Sequence, residues 1–262
     1  MKYCLPYSTK IPSHIYKEAD EIEIVYRKED TTLPAFLEEY LDKVIILTSV
    51  SINDIDRIEI LAEKYDNFKL KIDVSDQELL LAVKERNIPF FCSFLATTWD
   101  QYIGLLDLEP TDVYIGNELC FELNKVSDIA YDSDTQIRVI PNIAQSSWTL
   151  GENDENLLSF FIRPEDVSIY DDYVDVFEFS APIDKVLIYY DIYAKTKKWF
   201  GPLNEIIIGL NSNIDNRGLV PAFGYYRAKC AKRCLKGQGC NICMRAQELS
   251  KTLLDKNLIV NI

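Results

Sequence analysis

Histidine, methionine and glycine are scarce in this chain: one, two and nine among 262 residues. The single imidazole, His14, removes whole classes of site. No HExxH zinc site, no His-rich iron triad and no ligand set with paired imidazoles can be assembled from this chain alone. A Ser-His-Asp triad would have to recruit His14, which lies in no recognisable motif. Acid–base chemistry therefore falls to Asp, Glu, Tyr, Lys or Cys. No apolar run approaches the roughly 20 residues that span a bilayer. The opening Met1-Lys2-Tyr3-Cys4-Leu5-Pro6 runs into polar sequence with no secretory pattern. The expectation is a reducing, cytoplasmic setting and no membrane partner. Neither GxGxxG nor GxxxxGK[ST] occurs, so no nucleotide-phosphate motif is present.

Cations are also in the minority, 28 Lys and Arg against 42 Asp and Glu, for a formal net charge of −14. Such a surface opposes non-specific contact with nucleic acid or anionic lipid. The imbalance reverses near the end. Arg227, Lys229, Lys232, Arg233, Lys236, Arg245, Lys251 and Lys256 are opposed only by Glu248 and Asp255. The same stretch holds four of the seven cysteines, Cys230, Cys234, Cys240 and Cys243, at spacing C-x3-C-x5-C-x2-C. Four thiolates are soft, anionic ligands that suit one zinc ion or one iron–sulfur cluster. Cys230 and Cys234, four residues apart, share a helix face. Gly237 and Gly239 supply the turn, and Cys240 and Cys243 close the hook before a second helical pattern from Met244. The ligand set predicts a [4Fe–4S] cluster, with Zn2+ as the alternative. The local basic charge has two readings, offsetting the thiolates or contacting RNA or an anionic small molecule. A protein partner on a zinc-clipped surface is a further option.

Upstream, short Val-, Ile-, Phe- and Tyr-rich runs alternate with helical stretches. Strands are predicted at Lys2–Tyr7, Glu21–Tyr26, Lys43–Ser49, Phe68–Val74, Ile88–Phe94, Asp112–Gly116, Ile137–Ile143, Leu158–Ile162, Asp175–Phe179 and Ile206–Leu210. Many read as continuous apolar runs, the pattern of strands covered on both faces. Helices are predicted from Thr32-Leu33-Pro34, over Ile52–Tyr65, from a Ser75-x-x-Glu78 capping box, over Thr98–Leu106, over Glu118–Ala130 and from Ser180-Ala181-Pro182. The alternation predicts an α/β fold, a (β/α)8-like, TIM-type barrel, closed or distorted, over residues 1–215. A small helical four-cysteine module occupies residues 216–262. An open doubly wound sheet is the competing architecture.

From about Ile88 to Trp199 the order of elements resembles the collagenase-like peptidase family, whose members include proteins of RNA and ubiquinone hydroxylation. The likeness is carried by Thr111-Asp112-Val113-Tyr114-Ile115-Gly116-Asn117-Glu118, Ile137-Arg138-Val139-Ile140-Pro141-Asn142, Phe161-Ile162-Arg163-Pro164-Glu165-Asp166 and Asp172-Tyr173-Val174-Asp175-Val176-Phe177-Glu178-Phe179. In the last of these the family usually has Lys-Ile-Glu-Gly-Arg. Glu178 matches, while Phe179 and Ser180 stand in place of Gly-Arg. Several members carry a four-cysteine iron–sulfur cluster at wider spacing. The resemblance implies a barrel protein of RNA modification or hydroxylation, or a peptidase. No nucleophile–base pair is recognisable here to support the peptidase.

Barrel chemistry gathers at the carboxyl ends of strands. Asn117, Glu118, Asn142 and Glu178 fall at successive predicted strand ends and are the candidate catalytic residues. Arg163, Arg217 and Arg227 are the candidate substrate-binding cations, since a guanidinium fork suits anionic groups. Tyr225 and Tyr226 are expected to pack the cysteine helix onto the barrel. Cys4, Cys92 and Cys120 are expected in the core.

Overall fold

The computed structural model describes residues 1–28, 31–132, 134–144, 161–210, 214–219 and 223–229. Nine strands form one curled, all-parallel sheet with helices between strands: β1 (Lys2–Pro6), β2 (Glu21–Val25), β3 (Val44–Thr48), β4 (Phe68–Ile72), β5 (Phe90–Cys92), β6 (Leu95–Ala96), β7 (Asp112–Ile115), β8 (Gln136–Val139) and β9 (Val176–Glu178). Their order is β5-β4-β3-β2-β1-β9-β8-β7-β6. Its two ends, β5 and β6, are consecutive in the chain, separated by Ser93 and Phe94. The Thr111 backbone N–H and hydroxyl both donate to the Phe90 carbonyl, tying the end of the sheet at β5 to the segment that enters β7.

Between the strands run α1 (Ser13–Tyr16), α2 (Leu33–Glu39), α3 (Ile55–Lys64), α4 (Gln77–Glu85), α5 (Trp99–Leu106), α6 (Asn117–Cys120) and α7 (Leu123–Asp132), followed after β9 by α8 (Ile183–Tyr190) and α9 (Phe223–Ala228). Local chemistry sets their starts. Pro34 lies in the first turn of α2, where its missing N–H costs nothing. Thr98 caps α5 by accepting from the Gln101 N–H, and the Gln101 side chain accepts from the Thr98 N–H in return. No helix among the described residues is long and apolar enough to cross a membrane.

The described residues form two compact units. The first draws on Met1–Ile115, Ser133–Val139 and Val174–Glu178 and contains the entire sheet. The second draws on Gly116–Asp132, Ile140–Tyr173 and Phe179–Ile262. In the first, one face of the sheet is apolar: Ile22, Ile45, Leu47, Leu70, Ile72, Val113, Ile137, Val139 and Phe177 are all buried. Each such side chain contributes about 1.5–3 kcal/mol of burial free energy.

Several local expectations are corrected. Ile206–Leu210 is not a strand. The Ile206 and Ile207 N–H groups both turn back to the Leu203 carbonyl, Gly209 has a left-handed φ of 80°, and one isolated bridge, Ile143 to Ile208, remains. In the predicted strand Leu158–Ile162, residues 158–160 lie outside the described residues, and Phe161 and Ile162 are not in a strand. Helix α4 is capped by Asp76, which accepts from the Leu79 N–H, rather than by Ser75, whose hydroxyl is bound to Asp73. Helix α8 begins at Ile183, because Ser180 is held through both backbone groups by Asn142. On α9 Phe223, Gly224, Arg227 and Ala228 are the buried residues, while Tyr225 and Tyr226 are about half exposed.

Candidate functional site

β3 and β5 are continuous apolar runs, but four other strands are not. Glu21-Ile22-Glu23-Ile24, Phe68-Lys69-Leu70-Lys71-Ile72, Asp112-Val113-Tyr114-Ile115 and Gln136-Ile137-Arg138-Val139 alternate strictly. Alternate residues of a strand point to opposite faces. With the apolar set on one face, the other collects Cys4, Glu21, Glu23, Lys69, Lys71, Phe91, Asp112, Tyr114, Gln136, Arg138 and Glu178. Their contacts fall into two groups, one step of two residues apart along the same strands.

The first group is sealed by Arg138. Its guanidinium binds Glu21 and reaches Asp112 at 3.5 Å, and all three side chains are completely buried. Lys69 joins from the side, 2.7 Å from Asp112 and 3.0 Å from the Gln136 amide oxygen. The guanidinium also lies 4.7 Å from the Phe91 ring centroid and 5.7 Å from that of Tyr114. Burial pushes the Glu21 carboxyl above its ordinary value, and Arg138 and Lys69 offset this only in part.

The second group, two residues further toward the carboxyl ends, centres on Glu178 at the end of β9. Lys71 Nζ bridges two carboxylates, 2.9 Å from Glu178 Oε1 and 3.2 Å from Glu23 Oε2. The Tyr114 hydroxyl donates to Glu178 Oε2. Cys4, buried on β1 opposite Glu178 in the strand register, completes the group. Here the side chains are partly open: Glu23 is 22 %, Lys71 16 % and Glu178 11 % exposed. Two carboxyls in one cluster are pushed apart. Burial raises Glu178, but Lys71 and Arg138, with the Tyr114 hydroxyl, outweigh it and hold the group below its ordinary value. Glu23 goes the other way, raised by burial and by the neighbouring Glu178 charge, with Lys71 opposing. Burial disfavours the Lys71 ammonium, yet the two carboxylates keep it charged and raise its value. Tyr114 and Cys4 are both held well above their ordinary values, by burial first and the Glu178 charge second. Two carboxyls displaced in opposite directions around one ammonium is an arrangement that can divide acid and base roles.

Of the residues singled out from sequence, Glu178 alone lies in this cluster. The others lie in the second unit or outside the described residues. Asn117, almost fully buried, donates 2.9 and 2.8 Å hydrogen bonds to the carbonyls of Ile140 and Ile143. Asn142, inside that turn, donates to the Ser180 carbonyl at 2.7 Å and accepts from its N–H at 3.1 Å. The two asparagines thus fasten one segment together. Glu118 is half-buried in the first turn of α6. Arg163 forms a two-pronged pair with Asp166, at 2.7 and 2.8 Å, and a 3.2 Å bond to the Asn216 side chain. Arg227 is buried with its guanidinium 4.3, 4.5 and 5.2 Å from the ring centroids of Phe121, Phe161 and Phe223. Arg217 is paired with Asp215. Cys230, Cys234, Cys240 and Cys243 lie outside the described residues.

Sequence reasoning missed Glu23, Lys71, Tyr114, Cys4 and Arg138. The available signal was the period-two placement of charge inside otherwise apolar strands, which marks a polar sheet face in place of a two-sided apolar one. Searched against protein-family models and against curated proteins, the chain matches none.

Proposed function

We propose that this chain is an α/β-barrel enzyme in which Glu178 and Glu23 act as an acid–base pair and Lys71 steadies negative charge between them. The observation that carries this reading is the Glu178 cluster. It sits toward the carboxyl ends of parallel strands, is partly open to solvent, and holds two carboxyls at opposite displacements around one ammonium. In this reading β5 and β6 are one interrupted strand, so that eight strands in chain order close into a (β/α)8 barrel through the β1–β9 pairing.

The reaction class we propose is RNA modification of the hydroxylation type, with the oxygen atom and oxidising equivalents drawn from an external oxygen donor, supported by the resemblance over Ile88–Trp199, in which Glu178 matches the family's late-strand glutamate. The four C-terminal cysteines fit a [4Fe–4S] cluster by donor chemistry, four soft thiolates amid offsetting cations, and fit Zn2+ on the same grounds. When bound, a cluster supplies electron transfer, and zinc a redox-silent clip. The residues of the sheet would bind the polar group of the substrate and move a proton at a carboxylate oxygen of Glu178.

A second reading is a non-catalytic barrel whose cysteine clip serves assembly with a protein partner. It is favoured by one observation, that Lys71 already bridges both carboxylates, as a structural ion-pair core would. The two readings part in one experiment. Anaerobically purified protein is analysed for iron and zinc, and RNA nucleosides from cells lacking the chain are compared by mass spectrometry with those of cells carrying wild type or Glu178→Gln. The enzyme reading expects bound metal, and a nucleoside bearing one added oxygen that wild type restores and Glu178→Gln does not. Identical nucleosides in all three strains would overturn it.

A further inference from the structure

We propose that Cys4, Glu23 and Glu178 form a second metal site, specific for a thiophilic divalent cation of the zinc class, which binds in exchange for the Lys71 ammonium. One ligand atom from each residue lies within 4.8 Å of the other two. A point no more than about 2.8 Å from all three therefore exists, within an ångström of zinc–thiolate and zinc–carboxylate bonds of roughly 2.3 and 2.1 Å. The notch already balances its carboxylates with one cation, the Lys71 ammonium, hydrogen-bonded to both. The thiol gives the preference for a soft ion. A buried cysteine ordinarily fills apolar space, whereas Cys4 is fully buried among carboxylates, an ammonium and a guanidinium.

The exchange balances. The divalent ion enters, the Cys4 thiol releases one proton as the S–metal bond forms, and Lys71 leaves still protonated toward solvent, which its side chain already reaches. The group then holds three anionic ligands and two positive charges. Before exchange it holds two carboxylates and one ammonium, so its net charge is unchanged. Occupation would tie up the carboxylates assigned to acid–base work. The binding itself needs neither that reading nor a substrate.

The test uses the full chain and Cd2+ alone. Bound cadmium per chain is measured with the thiolate-to-cadmium absorption for wild type, Cys4→Ser, Glu178→Gln, Lys71→Met and, as a buried-thiol control, Cys92→Ser. Wild type and Cys92→Ser should bind one cadmium more than Cys4→Ser or Glu178→Gln. Lys71→Met should bind that ion about tenfold tighter, because the competing ammonium is gone. A measurement on wild type alone guards against misfolded variants: 113Cd NMR should show a one-thiolate, oxygen-rich resonance apart from any four-thiolate signal. Absence of that resonance, or equal cadmium in folded wild type and Cys4→Ser, would overturn the proposal.

Discussion

Arg138→Met is expected to cost about 3–5 kcal/mol of folding stability, the range for removing one partner of a buried ion pair. Arg138, Glu21 and Asp112 have no exposed side-chain surface. The substitution keeps most of the side-chain volume and removes the charge, so the loss is electrostatic. Asp112 retains Lys69, but Glu21 loses the cation that binds it. Against a total stability of roughly 5–15 kcal/mol, a loss of this size brings the protein close to unfolding. The pH dependence follows from Glu21. Burial already raises its folded value above the ordinary 4.5, and removal of Arg138 raises it further. A raised carboxyl favours the folded state while protonated, so that contribution is present at low pH and lost as pH rises through the folded value. Urea midpoints of variant and wild type should therefore converge as pH falls toward 4.5 and separate toward neutrality. The double variant Glu21→Gln/Arg138→Met should recover most of the neutral-pH loss. A single variant as stable as wild type at neutral pH would show that the first group carries no net charge–charge dependence.

Gly224→Ala is expected to destabilise by a similar amount, against the usual sign. Alanine is favoured over glycine inside a helix by about 1 kcal/mol. On α9, however, a Cβ at position 224 would land on the Asp166 carboxylate. That carboxylate cannot step aside cheaply, since both its oxygens are held by Arg163. Displacing it breaks a buried pair, and the cost of about 3–5 kcal/mol exceeds the helix gain. Gly104→Ala on α5 is the control. Nothing lies within 4 Å of its added Cβ, so it should stabilise by up to about 1 kcal/mol. Thermal melts of the two variants should move in opposite directions, and a shift of the same sign in both would contradict the packing at Asp166.

Much of the architecture was legible because it is local. Eight of the ten predicted strand segments match β1–β5 and β7–β9 to within a few residues, since β-branched and aromatic runs declare themselves, while the short β6, Leu95–Ala96, was not predicted. The Ile88–Phe94 segment runs into a break, leaving β5 and β6 on either side of Ser93 and Phe94. Ile206–Leu210 has the same apolar composition, but the backbone is consumed by turns at Leu203 and Gly209. The site was less legible because it is not local. Glu178 meets Lys71 across 107 residues and Tyr114 across 64. No spacing rule reaches that far. Glu178 itself was found by its place at a strand end, whereas its partners sit one or two residues short of theirs. Lys71 and Glu23 declared their face through alternation, in strands whose Ile and Leu content drew attention to the opposite face.

The account rests on the opposite displacement of the two carboxyls around Lys71, and titration of the protein with carboxyl-13C glutamate reads it directly. Glu178 and Glu23 are assigned by their single glutamine variants and followed by NMR from neutral pH downward. Glu178 should titrate below 4.5 and Glu23 above it, and Lys71→Met should raise both, since the ammonium holds each of them down. Two carboxyls that titrate together at the ordinary value, unmoved by Lys71→Met, would contradict the assignment of an acid–base pair to this sheet.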